Sequence, residues 1–297
     1  MKPKLYVYPH VGPQLHETTA GFENSIPMNK VGRERNCEIV TDPAKADYFY
    51  AGQVAWQHFP ELGPHSFKYF AGNESRHIID CEGDWRDYDQ PDWLAESLVI
   101  TGHVRVETAY KFKRRFVRPV ISPLMMRLVK NPPSFTVPVA KGYWFQGQMD
   151  FTYQNRGKVA QALAKSGCPG EWYWNNAWGC YLPEDHEAAT TYLSRAQHWS
   201  YALCPMGEGP TCRYYEMALL NRIPVLIADY VPFEGGIFRW SMKLSVDELA
   251  AKMKAFYLHS EAMDWFWQMK TMEYCTKLRK YFDEPTAYFL EWAKTQR

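Results

Sequence analysis

The residues best able to do chemistry lie in one stretch, 201–229, YALCPMGEGPTCRYYEMALLNRIPVLIAD, where a Gly/Pro loop feeds a helical pattern that runs into an apolar strand. Glycine has no Cβ to hold a ligand away from the backbone, so Gly207 and Gly209 can offer N–H groups at close range. Thr211 stands where an N-cap is expected, and the first turns after it carry Arg213 and Glu216. A helix N-terminus favours an anion through its unpaired N–H groups and its partial positive charge. A guanidinium there adds a planar fork that matches phosphate oxygens. Glu216 repels phosphate, but a carboxylate accepts hydrogen bonds from a diol such as a ribose. One cation for phosphates and one carboxylate for a sugar suggest a nucleotide-sugar site. The competing reading is a solvated Arg/Glu pair three residues apart on a surface helix.

Other candidates are scattered along the chain. Gly147, at the end of the apolar run YWFQG, allows close approach to phosphates, and Arg156 is a second cation, with a surface helix arginine as the alternative. For proton transfer, the strand-like HIID continues into CEGDWRDYD, which offers Asp80, Glu82 and Asp84. Asp84, before Trp85, is preferred, because desolvation in an aromatic pocket raises a carboxyl pKa toward a useful value. His10 at the end of the first strand, His103 after LVIT, and Glu17 in the first long loop compete with it.

The elements that must position these groups alternate. Short apolar runs at 4–8, 38–40, 48–51, 77–80 and 98–101 are separated by helical or turn-like spacers, the pattern of an α/β domain on a parallel sheet. In such sheets ligands bind in a crevice at the carboxyl ends of the strands. Residues 118–141 contain five prolines and few periodic apolar positions, and read as a linker or the tail of a first domain. A second alternating series follows: an opening run at 142–147, a helix at 155–165, a strand at 172–174, a helix at 183–197, a strand at 200–204, a helix at 211–221 and a strand at 223–228. Helical patterns at 246–258, 261–279 and 281–294 close the chain. The expected division is 1–135, 136–270 and a set of helices over 271–297 packing back toward the first domain.

Composition narrows the function classes. A chain of 297 residues can bury two cores of ordinary size. Basic and acidic side chains number 34 and 33, so bulk attraction to nucleic acid or to an anionic membrane is not expected. The 7 cysteines form no C-x-x-C pair and meet no histidine at zinc-finger spacing, which argues against a structural zinc and for a reducing compartment. Cys168 and Cys180 bridging in an oxidising compartment is the alternative. The opening MKPKLYVYPH has no apolar leader, and no run of 18 uncharged apolar residues occurs. The expectation is a cytoplasmic protein with no transmembrane segment. The 12 Trp, 20 Tyr and 16 Phe serve either a core or a sugar-stacking surface.

Three segments resemble the exostosin-like glycosyltransferases. The first comprises Pro205, Gly207, Thr211, Arg213, Glu216, the run Arg222-Ile223-Pro224-Val225, Asp229 and Pro232-Phe233, with Asn221-Arg222 where the family has glycine before Ile-Pro. The second is Asp42-Pro43-Ala44-Lys45-Ala46-Asp47-Tyr48-Phe49, and the third is Tyr143-Trp144-Phe145-Gln146-Gly147. They fall in family order. The resemblance implies the glycosyltransferase-B architecture: two doubly wound, Rossmann-like α/β domains facing across a cleft, the first presenting acceptor and base, the second holding the nucleotide sugar. It also implies inversion at the anomeric carbon, and HIID running into CEGDWRDYD resembles the family's strand leading to a "D-W/x-G"-like loop, which carries Asp84.

The roles expected from this reading are specific. Arg213 meets the pyrophosphate, with Gly207, Gly209 and Thr211 as donors, Glu216 on the ribose, Gly147 permitting close approach and Arg156 as a second cation. No metal is expected, since no D-x-D triplet follows an apolar strand in the second half. No cofactor is expected beyond the donor, a UDP-sugar, as co-substrate. The partners are that donor and an oligosaccharide or glycoconjugate acceptor, with no nucleic acid. Two alternatives stay open: a fucosyltransferase-like enzyme of the same architecture using a GDP-sugar, and a non-catalytic carbohydrate-binding protein.

Overall fold

Runs such as LVIT at Leu98–Thr101 and IPVLI at Ile223–Ile227 are buried at every position. Strands of that kind must be covered on both faces, the condition of a parallel sheet lying under helices. The computed structural model describes residues 1–9, 27–54, 63–81, 92–102, 104–107, 114–134, 136–147, 154–174, 187–207 and 211–296. It contains two such sheets, one in each of two units.

The first unit comprises Met1–Pro119, Tyr230–Glu234 and Lys280–Arg297. Its sheet uses β1 (Lys4–Val7), β2 (Glu38–Ile39), β3 (Tyr48–Val54), β4 (His77–Cys81), β5 (Leu98–Thr101) and, beyond the two-residue β6 (Val104–Arg105), β7 (Arg115–Val117). The order is β2-β1-β3-β4-β5-β7, with every neighbouring pair parallel. Helix α1 (Lys30–Asn36) begins at Asn29, whose side chain accepts from the Gly32 N–H. One face carries an aromatic core of Tyr8, Phe49, Phe67 and Phe70 around Ile79 and Val99.

The second unit comprises Val120–Asp229 and Gly235–Arg279. It starts with α2 (Pro123–Lys130), inside the segment expected to be a linker. Ser122 is the N-cap and Pro123 the first helical residue, so this proline opens a helix where its missing N–H costs nothing. Leu124, Met125 and Leu128 are buried in this unit, which is why the division falls at Pro119/Val120 and not near residue 135. Strand β8 (Ala140–Gly147), α3 (Gln154–Ser166), β9 (Gly170–Trp174), α4 (Glu187–His198), β10 (Trp199–Pro205), α5 (Cys212–Leu219) and β11 (Ile223–Ile227) follow. The short β12 (Tyr230–Val231) pairs antiparallel with β6 inside the first unit, and β13 (Arg239–Trp240) completes the second sheet. Helices α6 (Val246–Tyr257), α7 (Glu261–Asp283) and α8 (Pro285–Thr295) end the chain, α8 packing on α1 in the first unit.

The second sheet runs β13-β11-β10-β8-β9, all parallel. Counted within each sheet, both units have the strand order 2-1-3-4-5, the first with one strand added. Each is therefore a doubly wound α/β unit whose order reverses between its first and third strands, where such sheets open a crevice. In the second unit that point lies between β8 and β10. Tyr143, Phe145, Tyr201, Leu203, Val225 and Ile227 fill one face against α3 and α6, and α4 and α5 lie along the same strands with Trp144 against Tyr192. Among the described residues no helix is long and apolar enough to cross a membrane.

Candidate functional site

At the carboxyl end of β8 the chain alternates Phe145 and Gly147 with Trp144 and Gln146, so the two pairs point to opposite faces. In the neighbouring β10 Ala202 stands opposite Trp144, and the strand runs on through Cys204 and Pro205, which face Leu226 and Ile227 of β11, to Met206 and Gly207 ahead of α5. Arg213 projects from the first turn of α5 across this strand end. Its guanidinium carbon lies 5.0 Å above the Phe145 ring, a cation–π contact. Gly147 has no side chain to obstruct it: a Cβ there would stand 2.9 Å from Arg213 Nη2 and 3.1 Å from Phe145 Cζ.

Arg213 is 9% exposed, and among the described residues its Nε and Nη1 have no hydrogen-bond partner. Burial weakens the case for its charge, but Tyr192, Cys204 and Glu216 around it more than offset that and hold its pKa above the ordinary value. Trp144 Nε1 and Gln146 Oε1, on the same strand, are also buried without partners among the described residues. Buried polar groups in native proteins are normally satisfied, so the Arg213 nitrogens at this strand end mark a place for a polar ligand, whereas Trp144 and Gln146 point to the other face of the sheet.

Glu216, one turn further along α5, is 3% exposed. Its Oε1 accepts from Ser122 Oγ at 2.6 Å and its Oε2 from Tyr192 Oη at 2.9 Å. Ser122 Oγ in turn accepts from the Met125 N–H at 3.2 Å, so one hydroxyl caps α2 and ties it to α5. Burial, and then the Glu216 charge, push the Tyr192 hydroxyl well above its ordinary pKa and keep it a donor. Both carboxylate oxygens thus hold protein hydroxyls, and a ribose would have to share or displace them. Neither Ser122 nor Tyr192 was picked out from sequence. The Ser-Pro pair at 122–123 is a helix-start signal that could have pointed to the first, whereas nothing in the pattern around residue 192 marks the second.

The other expected residues are placed as follows. Thr211 occupies the N-cap position of α5, but its side chain makes no capping bond, contrary to the expectation of a hydroxyl cap. Gly207 lies just past β10, and Arg156 is half-buried in the first turn of α3. Asp80 is fully buried within β4, in register with Gln53 and Ile100, and is enclosed in the first unit instead of being presented at its surface. Glu82, Asp84, His10, Glu17, His103 and Gly209 lie outside the described residues, as does Cys180; Cys168 is a free thiol. Among the described residues no group of three or more His, Cys, Asp or Glu side chains is arranged to hold a metal ion.

No family model matches the chain, and no curated protein matches it. Solved structures similar to it include an α1,3-fucosyltransferase with GDP-fucose, 12% identical over 90% of this chain and 81% of that one, with a TM-score of 0.38. The same coverage is found for α1,3-fucosyltransferase with GDP, at 11% identity and a TM-score of 0.35, and for a third structure titled α1,3-fucosyltransferase, at 12% and 0.36. Similarity at that level carries no argument about chemistry. The two doubly wound units stand on the strand order of this chain alone.

Proposed function

We propose that the second unit binds a nucleoside-diphosphate sugar and that the protein transfers the sugar to a glycan hydroxyl. The observation that carries this reading is Arg213: a buried guanidinium with Nε and Nη1 unpaired, lying over Gly147 at the reversal point of a parallel sheet. Leaving buried donors open costs about 1–3 kcal/mol each, a cost that a diphosphate would relieve. In the transfer the acceptor oxygen bonds to the anomeric carbon as the bond from that carbon to the diphosphate breaks. Arg213, with the first N–H groups of α5, meets the negative charge of the leaving group, and Arg156 on α3 is the second cation. No metal is required in this scheme. The acceptor proton passes to a base, for which Asp84 is our choice ahead of Glu82, His10 and Glu17, Asp80 being enclosed in the first unit. Attack from the side opposite the diphosphate inverts the anomeric configuration.

Gly207, Gly209 and Thr211 lead into α5 and supply backbone or hydroxyl donors. Glu216, with Ser122 and Tyr192 on its oxygens, serves first to hold α5 and Arg213 in place, and reaches a ribose only by sharing those hydroxyls. Since no family model matches, the exostosin-type UDP reading rests on the quoted segments alone, and the GDP-using, fucosyltransferase-like alternative stands beside it.

Release of nucleoside diphosphate from a panel of UDP- and GDP-sugars tests the activity and chooses the donor. Arg213→Ala is expected to lose roughly 2–4 kcal/mol of transition-state stabilisation, about 30- to 1,000-fold in turnover. Near-normal turnover would remove Arg213 from the mechanism. Thermal stabilisation by UDP or GDP reports binding to the folded state; no release and no stabilisation by either would leave the non-catalytic carbohydrate-binding reading.

A further inference from the structure

The described cysteines divide by their surroundings. Cys37, Cys204 and Cys275 are buried, and burial raises the pKa of each thiol, that of Cys37 to about 11. Cys168 is half-buried and packs against the core of the second unit. Cys212 is half-buried too, but it is the first residue of α5 and directly precedes Arg213. The Thr211 side chain does not cap that helix, and its first turn holds no acidic residue. The partial positive charge of the helix end is therefore not neutralised from within the helix. Arg213 adds a whole charge, and Cys212 is among the groups that interact with it, together with Tyr192, Cys204 and Glu216. Burial keeps the proton on Tyr192 and on Cys204. Glu216, the carboxylate of the set, is closed off by Ser122 and Tyr192.

The thiolate is the attacking form of cysteine, and a helix N-terminus beside a cation favours it. The second observation is Arg213 itself: it is 9% exposed, and among the described residues its Nε and Nη1 lack partners. Those donors ask for an anion next to the sulfur. We propose that Cys212 is a modification site for a small disulfide that carries carboxylates, of the glutathione class, and that the mixed disulfide and a diphosphate exclude each other. The Cys212 sulfur bonds to one sulfur of the reagent as the bond between the reagent's two sulfurs breaks. The second half leaves as a thiolate and takes up a proton from water, replacing the one Cys212 released, so no further oxidant is needed. A carboxylate of the bound half meets Arg213. The exclusion rests on the donor-site reading, since both ligands claim that guanidinium; the reactivity of Cys212 does not.

Incubation of the full chain with oxidised glutathione, followed by peptide mass mapping, tests the site. A glutathionyl group is expected on Cys212 at least about tenfold faster than on Cys168. The ratio of the two rates is expected to fall roughly tenfold with the neutral bis(2-hydroxyethyl) disulfide, which offers Arg213 no carboxylate. UDP or GDP, whichever binds by titration calorimetry, is expected to slow the Cys212 reaction about tenfold at roughly ten times its Kd. The modified protein should lose that affinity and regain it with dithiothreitol, whereas Cys212→Ser should bind the nucleotide as the parent does and gain no group at residue 212. A Cys212 that reacts no faster than Cys168, or whose rate ignores a nucleotide that binds, overturns the proposal and leaves the donor reading standing. Selective labelling of Cys212 by the anionic disulfide in a chain that binds neither UDP nor GDP upholds the modification site and overturns the donor reading instead.

Discussion

The guanidinium of Arg213 and the missing side chain of Gly147 share one space: a Cβ at residue 147 would meet Nη2 at 2.9 Å. The glycine is therefore needed for the placement of an arginine from another element, apart from any approach of a ligand to its own backbone. Gly147→Ala is expected to displace the guanidinium from Phe145 and to cost about 1–3 kcal/mol of stability by overpacking. In the sugar-transfer reading it also weakens nucleotide binding. Urea denaturation and titration calorimetry with UDP and GDP check the two effects separately; unchanged values in both would mean that Arg213 has room to move aside.

Glu216 is held by two hydroxyls from different helices, and each can be removed singly. Ser122→Ala and Tyr192→Phe are each expected to destabilise the second unit by about 1–3 kcal/mol, because a buried carboxylate loses a donor. The double substitution should cost something other than the sum, since both act on one group. Urea midpoints for the four proteins decide it, and strict additivity would show that the two bonds are independent.

His77 sets a pH dependence. It is fully buried, stacked on Phe49 with centroids 4.9 Å apart, with Nδ1 2.8 Å from the Asn73 carbonyl and Nε2 2.9 Å from Tyr8 Oη. Nδ1 must then carry the proton, and Nε2 accepts from the tyrosine. Burial pushes its pKa down to about 4 from the ordinary 6.5. Between these values the unfolded chain binds a proton that the folded one does not. Stability is thus complete above pH 6.5 and falls as the pH drops toward 4, by about 3 kcal/mol in all. Denaturation series at pH 7 and pH 4.5 should show this loss, and His77→Gln should reduce it; an unchanged slope in the variant would assign the loss to other groups.

Helices α1 and α8 touch through a glycine. A Cβ on Gly32 would overlap Thr286 Oγ1 and stand 2.9 Å from Thr286 Cβ. Gly32→Ala is expected to loosen this contact in the first unit at a cost of about 1–3 kcal/mol, and Thr286→Gly in the same chain to recover part of it. Melting temperatures of the single and double variants are the measurement. A single variant as stable as the parent would mean that the helices separate without cost.

Much of the fold was legible before any coordinates. The runs now seen as β1, β3, β4, β5, β10 and β11 are short, apolar and bounded by polar or turn residues, because strands covered on both faces leave no choice of residue type. The helix carrying Arg213 and Glu216 was legible for a related reason, as a Gly/Pro loop cannot continue a strand and the apolar spacing after it changes period. Helix α2 is not legible, because five prolines with few periodic apolar positions predict a linker or a domain tail, whereas Pro123 follows a capping serine and starts the helix. Strands β7 and β13 have three and two residues, too few for a period to register.

Two α/β units, the order of their elements and a cation followed one turn later by a carboxylate can all be read along the chain. These properties depend on neighbours along the chain, and local patterning expresses them. It takes the folded chain to lay Arg213 over Phe145 in the space left by Gly147 and to close off Glu216 with Ser122 and Tyr192. Those partners are 68, 66, 94 and 24 residues away along the chain. Contacts across such separations are fixed by the strand order 2-1-3-4-5 and by how the helices settle on it, which no local pattern encodes.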